Sequence, residues 1–218
     1  MTKQPIFYTW SEEQAARGAN EVSSALHDFL IKLQTEHVTE IRLFADGCGG
    51  QNKNSHVIHS LMFWLSNFAP VNIKKIILIF PVRGHTFLPA DRVFGRVEKL
   101  LRSHSTILTK EKYNELYSDL GDVQKLGNEW TVFYFKSVTS YLNKVNDISE
   151  AKRIIIVKKK QSKVVIKAEL YYRNNDPSQI FWFLLKRDIT MISPEMSAEV
   201  ALRHALKPEK RKTWRCCW

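Results

Sequence analysis

Cysteines and long apolar runs are both scarce in this chain of 218 residues. The three cysteines, Cys48, Cys216 and Cys217, form neither a disulfide framework nor the paired spacing of a zinc site. No apolar run reaches the roughly 18 residues that span a bilayer, and the amino terminus lacks the apolar segment of a signal peptide. These absences predict an intracellular protein whose fold depends on an ordinary hydrophobic core.

Acidic residues are scarce only in the last third of the chain. Residues 1–135 contain 15 Lys and Arg against 14 Asp and Glu, whereas residues 136–218 contain 18 against 8, so the last third carries most of the net charge of +11. Such a basic segment favours a polyanionic partner, DNA or another nucleic acid, because bound phosphates release their counterions. The alternative is a basic surface without a ligand.

The apolar pattern of residues 1–135 alternates between the period of a strand and that of a helix. Strands are predicted at residues 6–10, 41–45, 75–82 and 131–135, and helices at residues 20–33, about 55–69, 90–103 and 110–120. Asn20 is the expected N-cap of the first helix. Strands that alternate with helices predict an α/β fold with right-handed crossovers.

The composition changes after residue 135. Apolar runs predict three more strands, which are expected to form a small antiparallel sheet, at residues 154–157, 164–172 and 180–185. We therefore expect an α/β core at residues 1–135, a smaller basic β-rich extension at 136–192 and a basic tail at 193–218. The tail contains the cluster Lys207–Lys212, which suits nuclear import or phosphate contact, or is simply a solvated end.

A single acid, Asp46, follows the predicted strand 41–45 and opens a loop of glycines and amides, Gly47–Asn54. α/β proteins often place a functional carboxylate at the carboxyl end of a buried strand, which makes Asp46 a candidate catalytic residue and metal ligand. The alternative is a plain turn, for which Asp-Gly is a common sequence, although the polar run Gln51–Asn54 favours a site. Neither the P-loop spacing nor the dinucleotide-binding spacing is present.

A second set of polar residues follows the third predicted strand, namely Arg83, His85, Asp91 and Glu98. Loops that follow parallel neighbouring strands meet at one edge of a sheet, so Asp46, His85 and Asp91 are expected to converge there. Asp91 and Glu98 are two helical turns apart, about 10 Å, so one of them rather than both would bind an ion with Asp46. Carboxylates suit Mg²⁺ or Mn²⁺, although a two-metal nuclease needs at least three acids.

Other polar residues of the two loops have both a functional and a structural interpretation. His85 could orient a water, protonate a leaving group or bind the scissile phosphate, or it could be a hydrogen-bonded structural residue. Arg83 could bind a phosphate oxygen or pair with the acids. Lys53 is a further candidate contact to nucleic acid, and Cys48 is interpreted as a small buried thiol, not a nucleophile.

Three blocks of sequence carry a family resemblance. They are Arg17–Ser24 (RGANEVSS), Asp46–Asn54 (DGCGGQNKN) and Phe80–Gly95 (FPVRGHTFLPADRVFG), with Glu98 after them. In this order they resemble an arthropod-rich uncharacterised family, the domain of unknown function 7869 (DUF7869), over roughly residues 5–135. That family looks transposon-derived and similar to ribonuclease H-like proteins, which implies a mixed sheet flanked by helices.

The resemblance also implies roles for the acids. Asp46, and either Asp91 or Glu98, would be members of a D-D-E/D triad, with the first acid on a strand that complete relatives carry upstream. We therefore expect a chain truncated at its amino terminus, with low or no activity. A gene-model truncation, a decayed element copy and a retained binding remnant would each account for such a chain.

These observations lead to three hypotheses. The first is a fragment of a transposase-like, magnesium-dependent polynucleotidyl transferase or nuclease, with Asp46 and either Asp91 or Glu98 as metal ligands, and it is expected in the nucleus. The second is a non-catalytic nucleic-acid-binding module derived from a transposable element, in which a basic run binds the ligand through Lys158, Lys159, Lys160 and Lys163. The third is a decayed product without a selected role.

Overall fold

The structure of the protein is a computed structural model that describes residues 4–82, 88–104, 109–159 and 164–172, together with the backbone of residues 179–182. Its strands are β1 (Ile6–Thr9), β2 (Glu40–Phe44), β3 (Lys75–Ile79), β4 (Asp122–Lys125), β5 (Arg153–Lys158), β6 (Val164–Glu169) and β7 (Gln179–Trp182). Its helices are α1 (Ala19–Lys32), α2 (Ser55–Asn67), α3 (Pro89–Arg102), α4 (Lys110–Ser118) and α5 (Phe135–Ser140). No helix in these ranges is long and apolar enough to cross a membrane.

The described residues form two compact units, which are considered separately. The sheet unit contains residues 17–82, 132–159, 164–172 and 179–182, and the helical unit contains residues 4–16, 88–104 and 109–131. Each unit combines segments that are distant in sequence, which differs from the predicted division at residue 135. The α/β class is confirmed, because helices pack with a mixed sheet.

The sheet unit contains one five-stranded sheet in the order β2-β3-β5-β6-β7. Strands β2 and β3 are parallel, whereas β5, β6 and β7 continue the sheet in antiparallel fashion. The carboxyl-terminal strands therefore extend the central sheet, which differs from the separate small sheet that was predicted. The reason is register, since Ile154 and Ile156 of β5 pair with Leu78 and Ile76 of β3 and bury on the same face.

Helices cover one face of this sheet, and among the described residues of the sheet unit no helix packs on the other, which is termed the open face. Helices α1, α2 and α5 pack together, and α2 contributes fully buried side chains such as Ile58, Leu61 and Leu65 to the core. Alternate residues of the strands complete this core, namely Ile41, Ile76, Leu78, Ile154, Ile156, Ile166 and Ala168. The intervening residues of the strands face away from the helices and form the open face.

The first block of the resemblance, Arg17–Ser24, has a structural role in this unit. The N-cap of α1 is Gly18, whose N–H donates to Glu21 Oε2 at 3.0 Å, so the prediction that Asn20 caps the helix is wrong. Asn20 Oδ1 instead accepts the N–H of Phe135 at 2.9 Å, and Ser24 Oγ accepts that of Phe133 at 3.0 Å. These side chains fix the chain just before α5.

These same contacts explain why the strand predicted at residues 131–135 is absent. The backbone there bonds to side chains of α1, and its aromatic rings turn into the core. The ring of His27 lies within 5.1–5.4 Å of the rings of Phe68, Phe133 and Phe135. This short aromatic run therefore lies in the core, because packing of its rings overrode its strand propensity.

Two histidines of the sheet unit are buried. His27 lies among phenylalanine rings, its Nδ1 has no hydrogen-bond partner among the described residues, and burial lowers its pKa to about 4 although Asp28 opposes the shift. His59 Nε2 donates to the carbonyl of Asn143 at 3.2 Å, and burial lowers the pKa of His59 to about 4 as well. Both rings are therefore held in the neutral form at neutral pH.

The helical unit has a small core of its own. Strands β1 and β4 form a parallel pair. Strand β4 was not predicted, because its sequence Asp-Val-Gln-Lys has no strong apolar pattern. Phe7 of β1 stacks on Tyr117 of α4 with ring centroids 5.2 Å apart, and Val97 of α3 completes this cluster. The apolar side of α3 therefore faces the core of its unit.

Candidate nucleic-acid interface

Asp46 lies two residues beyond β2, at the edge of the sheet where the parallel strands β2 and β3 both end. The N–H of Ala45 still donates to the carbonyl of Ile79 at 3.1 Å. Asp46 Oδ1 accepts the N–H of Cys48 at 3.1 Å and the amide of Asn52 at 2.7 Å. The carboxylate thus organises its own loop while its side chain stays exposed.

The rest of the loop is held by hydrogen bonds that start α2. The carbonyl of Cys48 accepts the N–H groups of Asn52 and Lys53, each at 2.9 Å. Asn54 is the N-cap of α2, because its Oδ1 accepts the N–H of Val57 at 3.1 Å and its amide donates to Gly49 and Gln51 carbonyls. Polar side chains that suggested a site therefore build the loop.

Lys53 is likewise engaged within the sheet unit. Its Nζ donates to the carbonyl of Ser149 at 2.6 Å and lies 4.9 Å from the ring centroid of Phe80. Lys53, predicted to contact nucleic acid, thus joins the Asp46 loop to the segment before β5. Such a cation–π contact adds to the hydrogen bond in holding the ammonium in place.

The acids predicted to accompany Asp46 belong to the helical unit. Asp91 Oδ2 accepts the N–H of Leu88 at 2.8 Å and closes the first turn of α3. Glu98 Oε1 pairs with Arg102 at 2.6 Å, one turn along the same helix. Arg83 and His85 fall outside the described residues. Within the described ranges, no group of three or more His, Cys, Asp or Glu side chains is arranged to hold a metal ion.

The predicted basic run after β5 is described only in part. Lys158 Nζ donates to the carbonyls of Leu65 and Ser66, at 3.3 and 3.4 Å, near the end of α2. A cation at this position stabilises the helix carboxyl end, so Lys158 has a structural role on the covered side of the sheet. Lys159 is exposed, whereas Lys160 and Lys163 lie outside the described residues.

A basic groove of about 430 Å³ lies on the open face of the sheet. Its floor is apolar, and its walls carry four cationic side chains from four strands. The groove is lined by Arg42, Lys75, Ile77, Ile79, Arg153, Ile155, Lys167 and Glu169. Strand register explains the arrangement, because Arg42, Ile77, Ile155 and Lys167 occupy one row across β2, β3, β5 and β6. Cations therefore flank an isoleucine floor.

Two carboxylates hold the cations of the groove in place. Glu40 pairs with Arg42 at 2.5 Å and with Lys75, and these hydrogen bonds, that of Lys75 first, lower the pKa of Glu40. Glu169 pairs with Arg153 and, at 3.1 Å, with Lys167. Among the described residues, these four cations therefore pair with two carboxylates, so this group of side chains carries an excess of positive charge.

An exposed aromatic ring completes the open face. Phe44 ends β2 two residues after Arg42, so strand alternation places it on the same side as the basic groove. The Phe44 residue is 57 % exposed, which is a large fraction for an apolar side chain in a strand. An exposed ring beside cations can stack on an unpaired base while the cations contact the backbone phosphates.

The sequence contains a signal for this basic face. Arg42 interrupts the apolar strand Ile41–Phe44, and Lys167 interrupts Val164–Ala168, with the period of two expected when one side of a sheet is not buried. A charged residue at alternate positions of several strands predicts an open basic face. This alternation could not reveal which strands are neighbours, because β3 and β5 pair residues that are 74 to 82 positions apart in the chain.

A family model described as a domain of unknown function (DUF7869) matches residues 1–174. The match extends through β5 and β6, beyond the residues 5–135 on which the resemblance rested. No curated protein matches the chain, and no solved structure matches it. The match covers the Asp46 loop and the described strands of the basic groove.

Proposed function

The chain belongs to the DUF7869 family, and we propose that it is a nucleic-acid-binding module that holds a single strand on the open face of its sheet. The basic groove is the observation that carries the proposal, since four cations surround an apolar floor beside the exposed Phe44. Phosphates would replace part of the pairing with Glu40 and Glu169, and bases would stack on Phe44. This chemistry needs no catalytic residue.

Charge also supports a polyanion as the ligand. The groove lies on β2, β3, β5 and β6, and its cations hold more positive charge than Glu40 and Glu169 balance. Arg42 and Arg153 can each bind a phosphate through two parallel hydrogen bonds, which lysine cannot do. The basic last third of the sequence adds long-range attraction for the same partner.

The test is binding of a labelled single-stranded oligonucleotide, measured by fluorescence anisotropy at several salt concentrations. The variant Arg42→Gln/Lys167→Gln removes two cations but leaves Lys75 on Glu40 and Arg153 on Glu169, so no carboxylate loses all its partners. We expect the slope of log affinity against log salt to fall by about 1.4, at roughly 0.7 for each phosphate contact on a single strand.

The matched control is Lys32→Gln/Lys112→Gln, which lowers the net charge equally. Lys32 pairs with Asp28 in α1 and Lys112 with Glu115 in α4, and neither lines the groove. Phe44→Ala is expected to weaken binding without changing the salt slope, because stacking involves no counterion. An Arg42→Gln/Lys167→Gln protein that binds as tightly as the control would rule out the groove.

A second candidate function is magnesium-dependent polynucleotidyl transfer on a ribonuclease H-like scaffold, as the resemblance implies. One observation favours it, since Asp46 is exposed at the edge where two parallel strands end, the usual location of ligand sites in α/β sheets. Titration with millimolar Mn²⁺ while thermal stability is monitored tests this candidate. It is rejected if Asp46→Asn leaves the response to Mn²⁺ unchanged, or if no response occurs.

A further inference from the structure

We infer that α3 is a second nucleic-acid-binding element, which contacts the phosphates of a duplex. Arg92, Arg96 and Lys99 lie at positions i, i+4 and i+7, so they share one face of the helix over about 10 Å of its length. All three are exposed. This surface, termed the α3 basic face, belongs to the helical unit and does not depend on the groove of the sheet unit.

Packing fixes the orientation of α3 within its unit. Val97 is 4 % exposed in the cluster with Phe7 and Tyr117, and Val93 and Leu101 pack against the same cluster. The α3 basic face lies away from this cluster, because at 3.6 residues per turn Arg92 and Lys99 are displaced from Val97 by about 140–160° and Arg96 by about 100°. The three cations therefore lie on the side of α3 away from this core.

The acids of α3 leave this face positive. Asp91 accepts the N–H of Leu88 at the start of the helix, and Glu98 pairs with Arg102 on the flank. Among the described residues, no ion pair or hydrogen bond engages the side chain of Arg96 or Lys99. Three cations within two turns, with the carboxylates displaced to one side, match the spacing of a polyanion.

Gly95 is a separate observation that indicates close approach of a partner. Glycine in a helix interior is less favourable than alanine, because it has more backbone freedom to lose on folding. A Cβ built on Gly95 would meet no atom within 4 Å, so packing in the described part of the unit does not require glycine here. Gly95 lies beside Arg96 and Lys99 along the exposed side of α3, where a missing side chain lets another molecule reach the helix backbone.

A duplex fits these features better than a single strand. An α-helix fits the major groove of B-DNA, which is about 12 Å wide, and cations along its exposed side reach the flanking phosphates. The α3 basic face carries no aromatic ring on which an unpaired base could stack, in contrast to Phe44 on the sheet. The two surfaces therefore favour different forms of nucleic acid.

Binding of the full chain to a labelled 20-base-pair duplex and to the corresponding single strand tests the inference. At about 100 mM salt we expect Arg96→Gln/Lys99→Gln to bind the duplex at least tenfold more weakly, with a salt slope lower by roughly 1.8. Its single-strand affinity and its circular dichroism should match those of the Lys32→Gln/Lys112→Gln control. A duplex affinity equal to that of the control, or no duplex binding by the unmodified chain, overturns the inference.

Gly95→Ala separates a functional from a structural role of the glycine. Alanine is expected to raise the thermal stability, since a methyl group has room here and favours the helix. It should also weaken duplex binding by keeping the partner away from the helix backbone. A more stable Gly95→Ala protein with unchanged duplex affinity would refute the close approach. The groove variant Arg42→Gln/Lys167→Gln reports on the proposed function separately, through single-strand binding.

Discussion

Acid should destabilise the sheet unit through its two buried histidines. Burial lowers the pKa of His27 and of His59 from 6.5 to about 4 in the folded protein. An unfolded histidine titrates at its ordinary pKa, so between these values the unfolded chain binds more protons than the folded one. The stabilising effect of the neutral rings is therefore complete above pH 6.5 and is lost as the pH falls toward about 4.

The size of the effect follows from these pKa values. At pH 5, an unfolded-state pKa of about 6.5 and a folded-state pKa of about 4 correspond to a loss of about 2 kcal/mol for each ring. The pair would account for about 4 kcal/mol, a large fraction of the 5–15 kcal/mol that typically stabilises a domain. Burial also lowers the pKa of His56, which acts in the same direction.

Urea unfolding followed by tryptophan fluorescence, at about pH 7.5 and about pH 5, measures this loss. The lower limit is set at pH 5 because the pKa of Glu40 is also lowered, and its stabilising ion pairs are lost only in stronger acid. His27→Phe should reduce the difference in unfolding free energy between the two pH values by about half. This comparison holds even if the larger ring is tolerated poorly, since that cost is the same at both pH values.

His37→Gln is the matched control, because His37 is an exposed histidine. Its substitution should leave the pH dependence of the unfolding free energy as it is in the unmodified chain. A difference below about 1 kcal/mol between pH 7.5 and pH 5 would refute the reasoning. So would a His27→Phe protein whose stability falls with pH as steeply as that of the His37→Gln control.

Two further predictions concern the loops. Gly121→Ala should lower the unfolding free energy by about 2 kcal/mol or more, because its Cβ would lie 2.3 Å from the carbonyl oxygen of Pro5. Gly50→Ala is the control, because a Cβ at residue 50 would have no atom within 4 Å, and it should change the unfolding free energy by less than about 0.5 kcal/mol. Equal melting temperatures for these two variants would contradict the close approach of a Cβ at residue 121 to Pro5. Asn54→Ala should cost about 1 kcal/mol through the lost N-cap of α2, and Asn54→Asp should recover most of it; no recovery would show that the amide donors matter more than the cap.

Local sequence patterns predicted most elements because their information lies within a few residues. The helix at Ser55–Asn67 follows from its apolar positions, and the strand at Lys75–Ile79 follows from a continuous apolar run. The strand predicted at residues 131–135 was wrong, because the aromatic residues of this segment pack around His27 in the core and do not pair with a strand. The residues of this segment favour a strand, but packing of their rings in the core overrode that propensity.

The candidate site illustrates the same division. The sequence placed Asp46 correctly at the end of a strand, since strand and loop are adjacent in the chain. It could not decide that Asn52 holds the carboxylate, or that Lys53 binds the carbonyl of Ser149, almost 100 residues away. These polar residues organise the loop in this structure, and the ligand binding expected of them stays a prediction.

The sequence by itself determined the α/β class, the order of most helices and strands, and the basic character of the last third, because these depend on local periodicity and on composition. Only the tertiary structure decided that β5 and β6 join β2 and β3 in one sheet, and hence that Arg42 and Lys167 line one groove. The physical reason is that strand pairing is selected by the burial of apolar faces that meet only in the folded chain.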